Sequence, residues 1–294
     1  MHKKSILALT IVWLSLTGAA LAQAPTADPN MVYIPVAVNG AKNAYVPGLK
    51  KENFKLLEDG IAQTVTSFYA EDQPMDVDII LALGQLQRGR ADLNSSKIRE
   101  AVENFRQQGN PKNKYTVEEM PFGANGIFAA IDQHITRLAT VSTNPRKVLL
   151  VLTDGFESSG GDPARTLQEY AKKLPVPIYI IFAAGAGEAP SDIQELGRGA
   201  AIHLSGGAGY EDLARFTGGR LYQAEADTQL RASMESLGQE LKNQYVLGFK
   251  STNDAKDDKW RKIEVKMVAP PSPLKEKDLK VKVRDRYFVA KPKK

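Results

Sequence analysis

The sequence contains no cysteine. This absence excludes disulfide bonds, thiolate metal sites and thiol catalysis, and it also excludes a lipid-modified N-terminal cysteine. We therefore expect the folded chain to be stabilised by a packed core alone.

Long apolar runs are also absent from the rest of the chain after the N-terminal segment. No segment there reaches the roughly 18 apolar residues of a membrane span. The N-terminus itself has the pattern of a secretory signal peptide: Lys3 and Lys4 are followed by an apolar stretch over 6–16 and by the small residues of Ala20-Leu21-Ala22. We predict cleavage after Ala22, which makes the mature chain secreted or periplasmic. The alternative is an uncleaved anchor, for which the stretch is short.

Most enzyme signatures are missing as well. The chain has no Gly-Lys-Ser/Thr of a P-loop and no Gly-x-Ser-x-Gly elbow, and Pro190 stands where the third glycine of a dinucleotide motif beginning at Gly185 is required. The mature chain has two histidines, His134 and His203. A hydrolase acting on an envelope substrate stays open as an alternative, because either histidine could serve beside an acid and a nucleophile. The helical pattern around His134 favours a surface or half-buried structural role.

The positive charge is concentrated at the C-terminus. The chain has 39 basic and 34 acidic side chains, net +5, so removing Lys3 and Lys4 leaves net +3. Residues 275–294 contain nine basic and three acidic side chains, or +6, which leaves about −3 for the rest of the mature chain. This segment could dock at an anionic membrane surface, although a solvated strand pair with a frayed tail is the simpler interpretation. Few aromatic residues lie among these charges, so we predict no nucleic-acid partner.

Periodicity divides the mature chain into three regions. Short alternating strands and turns occupy the first and last regions, and strands alternate with helices between them. Strands separated by helices predict right-handed crossovers and a mostly parallel, doubly wound sheet of the Rossmann-like type. We expect both ends of the mature chain to form one small antiparallel β-sandwich into which the α/β region is inserted. The predicted organisation is a signal peptide (1–22), a flexible leader (23–30), the N-terminal part of the sandwich (31–72), the α/β domain (74–242), the C-terminal part of the sandwich (243–290) and a basic tail (291–294).

The α/β region contains continuous apolar runs, which are typical of strands buried on both faces. Helices are predicted over 95–105, 126–138, 163–173, 189–199, 210–217 and 228–242, with strands over 77–83, 148–153, 176–183 and 220–223. A single strand is predicted over 280–289. Asp154 and Gly155 end the strand at 148–153, and ligands of doubly wound sheets bind outside such strand ends. A carboxylate there could hold Mg²⁺ or Ca²⁺, or it could simply cap the turn.

The segment from Arg146 to Gly155, RKVLLVLTDG, is similar to the fourth strand of a von Willebrand factor type A (VWA) domain. The chain resembles the exported VWFA-related proteins of the Acidobacteria type over nearly its whole mature length. The segments that carry the resemblance are, in order, Val46-Pro47-Gly48-Leu49, Glu58-Asp59-Gly60, Pro175-Val176-Pro177, Thr217-Gly218-Gly219-Arg220, Gln244-Tyr245-Val246-Leu247-Gly248-Phe249 and Trp260-Arg261-Lys262.

The resemblance implies a metal-ion-dependent adhesion site, which needs an Asp-x-Ser-x-Ser run, a threonine and an aspartate. In this chain the positions of the run are occupied by Ala82, Gly84 and Leu86, and Asn125 stands near the position of the threonine. Asp154 alone matches its position. We therefore predict a degenerate site that binds neither Mg²⁺ nor Ca²⁺ tightly, and no cofactor; a metal-dependent adhesion protein that uses Asp154 is the alternative.

The expected function is that of a non-enzymatic module for protein–protein interaction or scaffolding in the cell envelope. Its partner would be a protein bound at the surface of residues 82–90, 122–126 and 154–160. There Arg88 and Arg90 could pair with a partner's carboxylates without metal. The candidate binding residues are Gln85, Gln87, Arg88, Arg90, Asn125, Asp154 and Glu157.

Overall fold

The protein is described here by a computed structural model that covers residues 31–83, 95–120, 126–154, 175–183 and 207–291. Within these ranges the chain is an α/β structure with one parallel and two antiparallel sheets. The predicted fold class is confirmed at this level. The predicted signal peptide and leader, the predicted helices over 163–173 and 189–199, and most of the basic tail lie outside the described residues.

The described regular elements follow one another in three groups. The first strands are β1 (Met31–Asn39), β2 (Phe54–Glu58), β3 (Ile61–Gln63) and β4 (Val65–Tyr69). The central elements are β5 (Asp76–Ala82), α1 (Ser95–Gln108), β6 (Lys114–Glu119), α2 (Ile127–Thr140), β7 (Lys147–Thr153), β8 (Ile178–Phe182), α3 (Gly207–Thr217), β9 (Leu221–Gln223) and α4 (Asp227–Lys242). The last strands are β10 (Tyr245–Lys250), β11 (Lys259–Met267), β12 (Lys280–Val283) and β13 (Arg286–Val289). Short 3₁₀ turns lie at Ala41–Asn43, Lys51–Asn53 and Glu276–Asp278.

The central group forms a five-stranded sheet in the order β6-β5-β7-β8-β9, in which every neighbouring pair is parallel. Helices cover both faces. One face packs against α1 and α4 through residues such as Phe105 and Leu237, and the other packs against α2 and α3 through residues such as Ile131 and Leu213. This two-sided cover explains the continuous apolar runs of β5 and β7, since both sets of side chains are buried. No described helix has the length and apolarity needed to span a membrane.

The first and last groups of strands form two four-stranded antiparallel sheets, in the orders β12-β1-β10-β4 and β13-β11-β2-β3. Each sheet therefore combines strands that precede the parallel sheet in the chain with strands that follow it. In register, Ile34 of β1 lies opposite Leu247 of β10, and Leu56 of β2 lies opposite Val265 of β11. These side chains belong to one apolar core shared by both sheets.

Two elements differ from the sequence-based expectations. Strand β6 was not predicted, because half of its residues are charged; most of its side chains are exposed, as suits the edge of the parallel sheet. The single strand predicted over 280–289 is wrong: the chain turns at Arg284 and Asp285, so that β12 and β13 join different sheets. Three consecutive charged residues, Arg284, Asp285 and Arg286, interrupt the alternating pattern at this turn, but periodicity alone does not reveal the change of sheet.

Candidate functional site

The carboxyl ends of the parallel strands meet at one edge of the sheet. Backbone hydrogen bonds extend the ladder there: Met120 N donates to Leu81 O at 2.9 Å, Asp154 N to Ala82 O at 3.3 Å, and Ala183 N to Thr153 O at 2.7 Å. Because parallel strands point the same way, residues that follow β5, β6, β7 and β8 are neighbours at this edge. It is the part of the sheet where a ligand of such a fold would bind.

Asp154 directly follows β7 at this edge and is 7% exposed. Its backbone N–H donates to the carbonyl oxygen of Ala82, the residue that stands at the first carboxylate position of the resemblance. Ala82 pairs in register with Thr153 and supplies a methyl group, which is not an oxygen ligand for a cation. Within the described ranges, no group of three or more histidine, aspartate or glutamate side chains is arranged to hold a metal ion. Asp154 and Ala82 by themselves do not fit the metal site that the resemblance implies.

The other predicted site residues lie outside the described residues. They are Gly84, Gln85, Leu86, Gln87, Arg88, Arg90, Asn125 and Glu157. His203, the second histidine considered for catalysis, also lies outside them. Whether these side chains come together at the edge stays a prediction.

A charged cluster centred on the buried His134 and Asp78 lies under α2, between β5 and the edge strand β6, with the partly exposed Glu118 and Arg137 at its rim. His134 Nδ1 is 2.8 Å from Asp78 Oδ2, and His134 Nε2 is 2.7 Å from Glu118 Oε2. Arg137, one turn further along α2, pairs with Asp78 and donates from Nη2 to Thr116 Oγ1 at 3.2 Å. His134 is only 4% exposed, so the expectation of a surface or half-buried histidine is wrong. Asp78 is 1% exposed and depends on these partners.

Both ring nitrogens of His134 are occupied in this arrangement. A neutral imidazole has one N–H, so two hydrogen bonds to carboxylates require either the imidazolium or one carboxylic acid. Neither nitrogen is left to accept a proton from a hydroxyl nucleophile, which a catalytic base must do. The geometry gives His134 a structural role that ties α2 to the sheet.

Sequence reasoning missed this cluster because it missed β6, which carries Glu118 and Thr116. A signal was present: Asp78 interrupts an otherwise apolar strand, and a buried carboxylate needs partners. Parallel pairing of β5 with β6 places Asp78 opposite Thr116, and α2 covers both. Only this pairing brings the partners together.

A second buried polar cluster lies at the amino ends of β8 and β9. Tyr179 Oη donates to Glu240 Oε1 of α4 at 2.8 Å, and Arg220 Nη2 lies 3.0 Å from Glu240 Oε2 in an ion pair. Burial, and secondly the charge of Glu240, raise the pKa of Tyr179 well above its usual range. Tyr179 therefore stays a neutral donor that satisfies the buried carboxylate.

Comparison with known proteins adds no relative: no family model matches the chain, and no curated protein matches it. The resemblance to VWA-containing proteins therefore depends on the residues that carry it. The chemistry of the described residues is the remaining guide to function.

Proposed function

We propose that this protein is an exported, non-enzymatic module of the von Willebrand factor type A kind that binds a protein partner at the carboxyl edge of its parallel sheet. In this proposal the paired antiparallel sheets form the sandwich into which the α/β domain is inserted. The observation that carries it is the position of Asp154, which follows β7 at the edge of a sheet covered by helices on both faces.

Two features of the described residues support binding over catalysis. The edge offers a carboxylate beside Ala82 instead of a cluster of acids, and the described histidine is held by carboxylates on both ring nitrogens. Recognition of a partner would then use hydrogen bonds and ion pairs, with Arg88 and Arg90 supplying forked donors for the partner's carboxylates.

The binding surface is tested by affinity capture of the tagged mature protein from an envelope extract, followed by mass spectrometry. We expect a specific partner with the wild-type protein and its loss in Arg88→Glu/Arg90→Glu. The matched control is Lys55→Glu/Lys266→Glu, which reverses the charge of two lysines that lie opposite each other at exposed positions of β2 and β11. A partner that is retained by the first variant and lost by the second would place the interface on the antiparallel sheets instead.

The metal question is tested by calorimetric titration with Mg²⁺, Ca²⁺ and Mn²⁺. We expect no micromolar binding, because one carboxylate beside a methyl group supplies too few oxygen ligands. Micromolar binding that disappears in Asp154→Ala would contradict this and favour metal-dependent adhesion. Export is tested separately by the intact mass of protein recovered outside the cytoplasm, which should begin at Gln23.

A further inference from the structure

A cleft of about 290 Å³ lies between the parallel-sheet unit and the outer face of the sheet that contains β1 and β12. One wall is the turn from α3 to β9 with Arg215, Gly218 and Arg220; the other carries Pro35, Ala37, Lys282 and Arg284. Register explains the second wall: Ala37 lies opposite Lys282, while the alternate residues Val36 and Val283 turn toward the apolar core. The cleft is remote from the carboxyl edge, since it opens at the amino end of β9.

The charge of this cleft is strongly positive. Four of its lining side chains are basic, namely Arg215, Arg220, Lys282 and Arg284, and Glu240 is its acidic one. Glu240 is already engaged by Arg220 and Tyr179. The side chain of Arg215 forms an ion pair with that of Asp212, three residues earlier on the same helix, at 3.0 Å. Both side chains are exposed, so this ion pair restrains Arg215 little.

Arg284 is the distinctive member of the cleft. Its Nε is sealed from solvent and has no hydrogen-bond partner, and among the described residues its guanidinium makes no hydrogen bond or ion pair. Its guanidinium carbon lies 5.8 Å from the centre of the Tyr287 ring. Burial lowers the pKa of Arg284 to about 10, which reflects the cost of a desolvated positive charge.

Two arginines that are more deeply buried than Arg284 show what the fold does when such a charge is structural. Arg146, 3% exposed, donates to Gln73 O and to Leu241 O, the latter at 2.6 Å. Arg261 pairs with Asp257 at 2.8 Å and donates to Ala255 O at 3.2 Å. Both groups have protein acceptors for terminal nitrogens, although the Nε of each, like that of Arg284, has no hydrogen-bond partner among the described residues. Arg284 differs because no described residue accepts a hydrogen bond from any of its nitrogens, and because it lines a cleft.

The turn beside Arg284 packs closely against its neighbours. Gly218 has φ +88°, and a Cβ there would lie 3.2 Å from Arg284 Cβ. A Cβ on Gly219 would lie 2.0 Å from Ile178 O. Two glycines in succession thus let the turn pass between the β8 backbone and the Arg284 side chain.

From this geometry we propose that the cleft binds a phosphate group. A phosphate monoester is a dianion, and its charge would be neutralised by the unpartnered guanidinium of Arg284 together with the other cations of the cleft. Arg284 is the anchor, and Arg215 and Lys282 close around the ligand from the two walls. The volume lies at the lower end of the range for ligand pockets, about 300 to 1,000 Å³, so the ligand is a small phosphate ester or the exposed phosphate of a lipid headgroup. Arginine suits this role because its planar fork donates two parallel hydrogen bonds to phosphate.

The test is calorimetric titration of the mature protein with glycerol phosphate at constant ionic strength, alongside flotation with vesicles containing phosphatidic acid. We expect binding in one of the two arms, which identifies the source of the phosphate. Arg284→Gln should weaken it about tenfold or more, since a charged hydrogen bond is lost. The matched control is Arg286→Gln, because Arg286 is two residues away but pairs with Asp285 and does not line the cleft.

Thermal unfolding separates a ligand site from a structural role. The probe that binds, glycerol phosphate or phosphatidic acid vesicles, should raise the melting temperature of the wild-type protein and leave that of Arg284→Gln unchanged, because a ligand stabilises only the state that binds it. Arg215→Gln, an exposed position, provides a second variant that should also weaken binding. The proposal is overturned if neither arm binds, or if binding survives in both Arg284→Gln and Arg215→Gln.

Discussion

The parallel sheet and the antiparallel sheets bury their strands in different ways. In β7 every residue after Lys147 is buried, because helices cover both faces. In β11 buried and exposed residues alternate from Arg261 to Met267, because one face meets the shared core and the other meets solvent. Strands of the parallel sheet therefore have two buried faces, whereas strands of the antiparallel sheets have one.

Because of this difference, a polar side chain needs hydrogen-bond partners from the protein in the parallel sheet, whereas water can supply them on the exposed face of an antiparallel sheet. Within the parallel sheet, Asp78 has no access to water and is satisfied by His134 and Arg137. On the exposed face of β11, Glu264 lies 3.1 Å from Lys266, and both side chains are about half exposed. Solvent can replace either partner of the second pair but not those of the first. A carboxylate therefore contributes very differently to stability in the two units.

The largest expected effect comes from removing the buried carboxylate. Asp78→Ala should lower the free energy of unfolding by about 3 to 5 kcal/mol, because it leaves His134 and Arg137 without their buried partner. Glu264→Ala, the exposed counterpart on β11, should change it by less than about 0.5 kcal/mol. Urea unfolding followed by circular dichroism measures both. Equal effects at the two positions would show that Asp78 is solvated and would remove the contrast between the units.

The next effect concerns consecutive residues of one strand. Leu149→Ala and Leu150→Ala should each destabilise the protein by about 2 to 4 kcal/mol, because these neighbours point to opposite faces and both leave a cavity. On β11 only alternate positions should behave in this way, so Val265→Ala should be destabilising and Lys266→Ala nearly neutral. The same urea titrations test this series. A neutral result for either leucine would mean that one face of the parallel sheet is less well covered than the structure indicates.

The smallest effect compares two buried tyrosines and depends on pH. Tyr245 donates to Val46 O at 2.7 Å and accepts from Leu49 N at 3.1 Å, so Tyr245→Phe should cost about 1 kcal/mol at neutral pH. Burial raises the pKa of Tyr245 to about 12. Its contribution is therefore fully present below pH 10, the usual tyrosine value, and is lost as the pH rises toward 12.

The measurement is the difference in unfolding free energy between the wild-type protein and Tyr245→Phe at several pH values from 8 to 11. That difference should shrink above pH 10, since only the wild-type protein loses this contribution. Tyr179→Phe serves as the comparison in the parallel sheet, where burial and the charge of Glu240 also hold the pKa of the tyrosine high. A difference that stays constant or grows across this pH range would contradict the assignment for Tyr245.

The candidate site was only partly accessible to sequence reasoning. The apolar run that ends in Asp154 indicates a buried strand with a carboxylate at its carboxyl end, and Asp154 does follow β7. The buried cluster around His134 could not be predicted, because Asp78 and His134 are 56 residues apart and Glu118 lies on an edge strand with few apolar residues.

The sequence by itself determined the alternation of β11, the apolar runs of β5 and β7, and hence the α/β class. Alternating apolar and polar residues indicate a strand buried on one face, and a continuous apolar run indicates one buried on both. Tertiary structure decided which distant strands pair. It split the C-terminal segment between two sheets, and in doing so placed Arg284 against the turn at Gly218. That contact joins residues 66 positions apart and depends on β12 pairing with β1, so no local pattern reveals the cleft or the unpartnered arginine inside it.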